Sequence, residues 1–272
     1  MNILDKIIAR KRQEVAAQKE RVAVADLEKA PLFGRPCYSF KANLTGPGQS
    51  GIIAEFKRRS PSKGVINDRA DVVETTAGYA RAGASALSIL TDTDFFGGAP
   101  ADVTAARAGN PLPILRKDFM VDTYQVLEAK AMGADVILLI AASLRPDEVK
   151  QLAAFAHGLG LEVLLEVHDR DELSRSLCPD VDAVGVNNRN LKDFTVNVGL
   201  SEELAAFIPN NFVKVSESGI SDPATVVALR QSGYRGFLMG ENFMKHPQPG
   251  EACSRFIAEL RAQAATVEPR LR

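Results

Sequence analysis

Charged side chains stand at or near the ends of four short apolar segments, which cover residues 52–57, 113–118, 163–167 and 213–219. These side chains are Glu55, Lys57, Lys117, Glu166 and Glu217. Burying an ionisable group costs free energy unless the group is paired or used, so the repetition predicts one shared pocket. Lysines and carboxylates placed together can transfer protons to and from a substrate. An ion-pair network that only holds the strand ends together fits the same pattern.

The pocket residues lie within a regular alternation of strands and helices. Eight apolar segments have the length and composition of buried parallel strands, at residues 52–57, 86–91, 114–117, 136–140, 163–167, 183–187, 213–216 and 236–240. Amphipathic helices are predicted between them, including residues 72–82, 123–132, 146–159 and 223–232. Glycines such as Gly83 and Gly133 stop these helices before the next strand. Eight such units predict an α/β fold, a single (β/α)8 TIM barrel.

The open doubly wound sheet is the competing α/β architecture. The chain lacks a Gly-x-Gly-x-x-Gly motif after its first strand, and it has eight repeating units. Both features favour the closed barrel. In such barrels the functional site lies at the carboxyl ends of the strands, where the charged residues fall.

The chain is predicted to begin with a helical extension. Apolar residues in the segment 3–21 recur near helical spacing, which is typical of an amphipathic helix. Its basic residues are most simply a solvated face, and they are Arg10, Lys11, Arg12, Lys19 and Arg21. We expect an N-terminal helical extension over residues 1–50 and a catalytic barrel over residues 51–272, together one structural domain. The sequence leaves open whether the first helix covers the pocket or packs below the barrel.

Composition limits the classes of partner. The 272 residues carry a formal net charge of -1 with dispersed charges, so there is no basic field for nucleic acid and any anion recognition is local. No stretch is long enough to span a membrane. Cys37, Cys178 and Cys253 are odd in number and lack metal-ligand spacing, so neither a disulfide framework nor a metal site is expected. A cytoplasmic protein with a small anionic substrate fits these observations.

Several motifs together resemble one enzyme family. They are Ile-Ala-Glu-Phe-Lys-Arg-Arg-Ser-Pro-Ser-Lys-Gly at 53–64, Leu-Thr-Asp-Thr-Asp-Phe-Phe-Gly-Gly at 90–98, Ile-Leu-Arg-Lys-Asp-Phe at 114–119, Val-Leu-Leu-Glu-Val at 163–167, Gly-Val-Asn-Asn-Arg-Asn-Leu at 185–191, Val-Ser-Glu-Ser-Gly-Ile at 215–220 and Phe-Leu-Met-Gly at 237–240. In order and spacing they resemble indole-3-glycerol phosphate synthase over essentially the whole chain. The resemblance implies conversion of 1-(2-carboxyphenylamino)-1-deoxyribulose 5-phosphate into indole-3-glycerol phosphate, by ring closure with loss of carbon dioxide and water. It implies no cofactor and no metal.

The resemblance also implies roles for the charged residues. Lys117 is the expected acid of ring closure, with a pKa lowered by a crowded cationic pocket. Lys57 is expected to hold the anthranilate carboxylate, and the dehydration acid is either Lys57 or Lys117. Among the carboxylates, Glu55 is the preferred base, Glu166 its partner near the ketone and Glu217 a binder of substrate hydroxyl groups. The sequence does not decide which glutamate is the base.

The remaining expected contacts orient the substrate. Asn187 and Arg189 are expected to face the substrate carboxylate. Phe96 and Phe119 are expected to form a wall around the aromatic ring, and Leu138 and Leu238 are further expected substrate contacts. The phosphate is expected at Ser60, Ser218, Gly219, Gly240 and Glu241, near the ends of the last two strands. The family commonly has serine or alanine where Glu241 stands, so its carboxylate is expected to point away from phosphate.

Two alternatives remain from the residues. A phosphoribosylanthranilate isomerase-like barrel would share the phosphate half, but it uses a cysteine and aspartate pair, and this chain has no cysteine at a candidate strand end. A catalytically silent barrel serving as a partner subunit has no reason to retain the lysines and glutamates together. The sequence does not fix the oligomeric state, for which a monomer or a weak homodimer is expected.

Overall fold

A computed structural model describes residues 3–191 and 193–267 of the chain. Its strands are β1 (Ile52–Phe56), β2 (Arg59–Ser60), β3 (Gly64–Val65), β4 (Ala86–Leu90), β5 (Ile114–Lys117), β6 (Val136–Ile140), β7 (Glu162–Val167), β8 (Ala183–Asn187), β9 (Val213–Glu217) and β10 (Gly236–Met239). Strands β2 and β3 pair as a short hairpin. The others form a closed parallel barrel in the order β1-β10-β9-β8-β7-β6-β5-β4. The predicted barrel is confirmed, and each predicted strand agrees within one residue at either end.

Helices follow most of the barrel strands. They are α1 (Ile3–Arg21), α2 (Val24–Glu28), α3 (Phe40–Thr45), α4 (Val72–Ala82), α5 (Pro100–Gly109), α6 (Thr123–Met132), α7 (Pro146–Gly158), α8 (Arg170–Ser176), α9 (Gly199–Ala205), α10 (Pro223–Gln231), α11 (Glu241–Met244) and α12 (Pro249–Val267). The long helix predicted at the start of the chain corresponds to α1, and the other four specified helices correspond to α4, α6, α7 and α10. Within the described residues, no helix is both long enough and apolar enough to cross a membrane.

Helix α4 shows how local sequence sets these boundaries. The side chain of Asp71 accepts a hydrogen bond from the backbone N–H of Glu74 and caps the amino end. Gly83 ends the helix with φ of 92°, in the left-handed region that glycine adopts without a Cβ clash. The chain then enters β4 within a few residues, so the unit is compact.

Alternation along the strands builds two layers of core. Ile53, Leu115 and Leu164 belong to a buried cluster inside the barrel, whereas Ile52 and Ile114 belong to the larger cluster formed with the surrounding helices. This alternation follows from the opposite directions of successive Cβ atoms in a strand. Both faces of the parallel strands are therefore buried, which explains their near-continuous apolar sequences.

Helix α3 closes the amino end of the barrel. Phe40 and Leu44 are buried in the interior cluster. The hydroxyl of Ser39 donates to the carboxylate of Glu162, the first residue of β7, over 2.6 Å. Apolar packing and this hydrogen bond fix the helix beneath the strands.

Helix α1 covers the opposite, carboxyl end of the barrel. Of the two positions that the sequence leaves open, the helix therefore lies over the pocket and not below the barrel. Ile3, Leu4 and Ile7 line the cavity at that end. Lys11 is 4% exposed and lies against Asp92, just beyond β4. The prediction that the basic residues of this helix form a solvated face is therefore wrong for Lys11, because buried carboxylates at the barrel end offset the cost of burying its charge.

Candidate active site

A single cavity at the carboxyl ends of the strands brings the predicted site residues together. Its wall includes Glu55, Lys57, Ser60, Phe96, Lys117, Phe119, Leu138, Glu166, Asn187, Arg189, Glu217, Ser218, Gly219, Leu238, Gly240 and Glu241. This is the location at which TIM barrels carry their active sites. The placement is an observation, and the role of each residue stays a prediction.

Four charged residues of the cavity come from alternate strands of the barrel. Glu55 is on β1, Lys117 on β5, Glu166 on β7 and Glu217 on β9. Alternate strands of a TIM barrel contribute side chains to the same interior layer. We call these four residues the charged layer. It contains three carboxylates and one ammonium group, and this excess of negative charge favours protonation of a carboxylate.

Lys117 is held by two of these carboxylates. Its Nζ lies 2.7 Å from Oε2 of Glu166 and 3.2 Å from Oε2 of Glu217. Burial alone would lower the pKa of Lys117, but the negative charges of Glu166, Glu217 and Glu55 outweigh it and raise the pKa above its ordinary value. The expectation of a cationic pocket that lowers this pKa is wrong, because carboxylates are the nearest charged groups. Lys117 is therefore an ammonium group that holds its proton more tightly than an ordinary lysine does.

Glu166 and Glu217 differ in their affinity for protons. Burial raises the pKa of Glu166, but Lys117 and His168 outweigh burial and leave the pKa below its usual range. Burial raises the pKa of Glu217 to about 7, with further upward contributions from Glu166 and Glu55, although Lys117 opposes them. Oε1 of Glu217 is buried and has no hydrogen-bond partner within residues 3–191 and 193–267. Glu217 thus holds a proton more readily than Glu166 does.

The second lysine of the site pairs with the remaining carboxylate. Nζ of Lys57 lies 2.6 Å from Oε1 of Glu55, and Oε2 of Glu55 accepts a hydrogen bond of 3.2 Å from the hydroxyl of Ser88. A Cβ atom at Gly240 would crowd the Glu55 carboxylate. The glycine therefore leaves room for Glu55 at the end of β10.

Asn187 connects the catalytic candidates to the last strands. Its amide nitrogen donates to Oε1 of Glu166 over 3.1 Å. Its amide oxygen accepts from the hydroxyl of Ser218 over 2.8 Å and from the backbone N–H of Arg189 over 3.1 Å. Ser218 has φ of 68°, an uncommon conformation for a residue with a side chain. Strain of this kind persists where surrounding contacts fix the backbone, and Asn187 supplies one of them.

Apolar side chains form the other part of the wall. The ring centroids of Phe96 and Phe119 lie 5.8 Å apart with an interplanar angle of 40°. Leu138 and Leu238, from β6 and β10, also face the cavity. A flat aromatic ring of a substrate would bury its faces against such side chains. The cavity thus has an apolar part and a charged part.

The comparisons with known proteins agree with this geometry. A model of the family described as indole-3-glycerol phosphate synthase matches residues 4–256 of the chain. The chain belongs to the indole-3-glycerol phosphate synthase family. A family member from Bacteroides thetaiotaomicron is 50% identical over 259 residues, covering 95% of this chain and 99% of the relative. One from Burkholderia ambifaria is 44% identical over 259 residues, covering 94% and 99% respectively.

Solved structures of lower similarity support the fold. KGPDC from Streptococcus mutans superposes with a TM-score of 0.60 at 13% identity, covering 78% of this chain and 97% of that one. A chain of the tryptophan synthase a2b2 complex from Pyrococcus furiosus gives a TM-score of 0.57 at 17% identity, covering 79% and 98%. At these identities the likeness concerns the fold alone.

Glu241 lies at the mouth of the cavity. Its side chain is 39% exposed, with Oε1 lying 3.2 Å from Nζ of Lys63 and Oε2 lying 3.8 Å from a guanidinium nitrogen of Arg189. Lys63 belongs to the loop between β2 and β3, and Arg189 follows β8. The Glu241 carboxylate therefore contacts cations from two sides of the cavity mouth.

The β2–β3 hairpin and its neighbours border the same mouth. Ser60, Pro61 and Ser62 line the cavity. A guanidinium nitrogen of Arg59 donates to the backbone carbonyl of Thr93 over 2.9 Å, which ties the hairpin to the loop after β4. The hairpin therefore lies at the edge of the cavity.

Sequence reasoning missed other residues that this synthase family member places at the site. Apolar lining residues absent from the predictions include Ile3, Leu4, Ile7, Leu191, Phe194 and Ile220. His168 also escaped notice, although Nε2 lies 3.4 Å from Oε1 of Glu166 and Nδ1 lies 3.1 Å from Oε2 of Glu172. Its place just beyond the strand that carries Glu166 is a signal that could have identified it.

Proposed function

We propose that the charged layer and the adjoining apolar wall catalyse the synthesis of indole-3-glycerol phosphate. The substrate is 1-(2-carboxyphenylamino)-1-deoxyribulose 5-phosphate, and the reaction closes the indole ring with loss of carbon dioxide and water. The observation that carries the proposal is the buried ammonium of Lys117 beside Glu166 and Glu217, in the same cavity as the Glu55–Lys57 pair. Family membership supports the same activity.

In the first step the ring carbon that bears the carboxylate attacks the ketone carbon of the sugar chain. Lys117 gives a proton to the ketone oxygen as the carbon–carbon bond forms, and the oxygen becomes a hydroxyl group. Glu166 orients the ammonium group, and its negative charge stabilises the positive charge that develops on the substrate nitrogen. Carbon dioxide then leaves the ring carbon, which retains the electron pair.

In the second step the new hydroxyl group leaves as water. Lys57 lies in the cavity beside Glu55 and supplies the proton to this leaving group. Glu55 then takes the proton whose loss restores aromaticity. Glu217, which holds a proton more readily than Glu166 does, binds substrate hydroxyl groups as a donor or acceptor.

Binding groups surround this chemistry. Lys57 and Arg189 hold the anthranilate carboxylate, and Phe96 and Phe119 contact the aromatic ring. The phosphate binds at Ser218, Gly219, Gly240 and the backbone of Glu241, with Ser60 closing from the hairpin. All of these residues line the cavity.

The absence of tryptophan from the chain makes a direct test simple. Indole fluorescence that appears when the carboxyphenylamino-deoxyribulose phosphate is added comes from product, without an indole background from the protein. We expect turnover by the intact chain and loss of turnover in Lys117→Met. A folded wild-type protein that forms no indole would contradict the proposal.

Location and assembly are further proposals. We infer a cytoplasmic enzyme, and we infer a monomer or a weak homodimer because the steps proposed above use the residues of one cavity and require no group from a second copy. Sedimentation across a range of protein concentrations measures the assembly state. A stable higher oligomer would overturn that part of the proposal.

A further inference from the structure

Lys11 is a buried lysine on a helix whose other basic residues are exposed. Its Nζ lies 2.8 Å from Oδ2 of Asp92, 3.0 Å from Oδ1 of Asp118 and 2.8 Å from Oε2 of Glu14. Asp92 and Asp118 lie just beyond β4 and β5, and both are buried. One ammonium group therefore connects helix α1 to two loops at the catalytic end of the barrel.

Both aspartates also hold the backbone of cavity residues. Oδ1 of Asp92 accepts hydrogen bonds from the N–H groups of Phe95 over 2.8 Å and Phe96 over 3.3 Å. Oδ1 of Asp118 accepts from the N–H group of Phe119 over 2.8 Å. The carboxylates that bind Lys11 thus fix the backbone positions from which the two aromatic side chains of the wall project.

The negative charges of Asp92 and Asp118 explain why a cation is required between them. Two carboxylates that approach one ammonium group within 3.0 Å in a buried site repel each other strongly when the cation is removed. Asp118 retains Arg116 at 3.1 Å and the hydroxyl of Thr91 at 2.6 Å. Lys11 is the cation that pairs with Asp92. Loss of Lys11 therefore acts most strongly on the loop that carries Phe96.

We propose that Lys11 is a positioning residue for the aromatic ring of the substrate. By drawing Asp92 and Asp118 together, it sets the spacing between Phe96 and Phe119, whose ring centroids lie 5.8 Å apart. The inference rests on the proposed function, which identifies the ring as the anthranilate ring. Lys11 does not contact Lys117 or Glu166, so it acts on binding and leaves the proton-transfer groups in place.

The test compares Lys11→Met with Lys6→Met, a matched change at an exposed position of the same helix. We expect Lys11→Met to raise KM about tenfold, which corresponds to the loss of one good binding contact, while kcat changes less than about threefold. A substrate analogue whose ketone is reduced to an alcohol cannot close the ring. We expect its Kd to rise in Lys11→Met by a factor similar to that for KM. Lys6→Met is expected to match the wild type in all three quantities.

A second variant separates positioning from simple loss of stability. Asp92→Asn in combination with Lys11→Met removes the repulsion but keeps an oxygen that can accept from Phe95 and Phe96. We expect this double variant to recover a KM within about threefold of the wild-type value, because coupled neighbours deviate from additivity. It also provides a folded protein for measurement if Lys11→Met alone fails to fold.

The outcomes distinguish this inference from the proposed function. Wild-type turnover with an unchanged KM and Kd in Lys11→Met would overturn the role of Lys11 and leave the proposed function standing. A fall in kcat with KM unchanged, or a double variant no better than Lys11→Met, would also overturn it. If Lys11→Met does not fold, a double variant whose KM stays about tenfold above the wild-type value would do the same. Absence of turnover in the wild type would overturn the proposed function itself.

Discussion

The Nζ atom of Lys117 lies 2.7 Å from a carboxylate oxygen of Glu166. The two residues come from β5 and β7, which are separated in the barrel by β6. Their contact therefore crosses the barrel interior and is not a ladder contact between paired strands. It places a proton donor and its counter-charge inside the cavity, where water is limited and electrostatic interactions are strong.

Replacement of Lys117 by methionine tests the proton donor. We expect kcat to fall about 10²–10⁴-fold, the range typical of a lost general acid, while the reduced substrate still binds. The measurement is indole formation over time, together with fluorescence titration of the reduced substrate. Lys150→Met, at an exposed position of α7, is the control. Turnover near the wild-type rate would exclude Lys117 as the acid.

Replacement of Glu166 by glutamine tests its counter-charge. The amide keeps the size of the side chain but removes the negative charge beside Lys117, so we expect kcat to fall about 10²-fold or more. Lys117 keeps a carboxylate partner in Glu217 at 3.2 Å, so the fold is expected to survive. Thermal unfolding measured together with kcat distinguishes a catalytic role of Glu166 from a structural one. Loss of activity only in proportion to unfolded protein would indicate a structural role.

The raised pKa of Glu217 predicts a pH-dependent stability. Between the ordinary carboxyl pKa and about 7, the folded state binds this proton while the unfolded state has released it. The contribution of Glu217 to stability is therefore complete at low pH and is lost as pH rises towards 7. The glutamine of Glu217→Gln does not ionise, so this variant does not lose stability as pH rises. It should be more stable than the wild type at pH 8 by on the order of 2 kcal/mol.

Denaturant unfolding of both proteins at pH 4.5 and pH 8 measures that difference. The two free energies of unfolding should differ little at pH 4.5, where the carboxyl group is protonated in the folded state and still about half protonated in the unfolded state. The same difference at both pH values would show that Glu217 is ionised throughout in the folded protein. Glu203→Gln, on the exposed face of α9, controls for a general effect of removing one negative charge.

Glu241→Ser tests the acidic residue at the cavity mouth. Removal of its carboxylate frees Lys63 and Arg189 from a competing anion, so we expect KM for the phosphorylated substrate to fall about threefold and inorganic phosphate to inhibit more strongly. Glu203→Ser serves as the matched control for net charge. An unchanged KM and an unchanged inhibition constant for phosphate would show that the Glu241 carboxylate does not compete with the phosphate group.

The sequence predicts the barrel well because its signals are local. Segments such as 136–140 are apolar without interruption, and glycine follows helix α6 at position 133, so strand and helix limits can be recognised from neighbouring residues. The charges at the strand ends were found for the same reason. The count of eight strand-helix units predicts a closed barrel, and closure brings those residues together at one end.

The residues that sequence reasoning missed depend on contacts between distant segments. The apolar face of α1 is evident from its spacing, but the pattern does not say which end of the barrel it covers. Lys11 resembles any surface lysine of a helix until Asp92 and Asp118 are seen beside it. The direction of the Lys117 pKa was wrong for a related reason, because it depends on which charges the closed barrel brings nearest.

The charged layer has a consequence for redesign of this barrel. Its four side chains stand on separate strands next to an apolar interior, so an exchange at any of them changes no residue of a helix or a turn. Solved barrels at 13% and 17% identity retain this architecture with different sequences. A library limited to positions 55, 117, 166 and 217 would therefore sample new reactions on an intact scaffold, with the aromatic wall still available to hold a planar ligand.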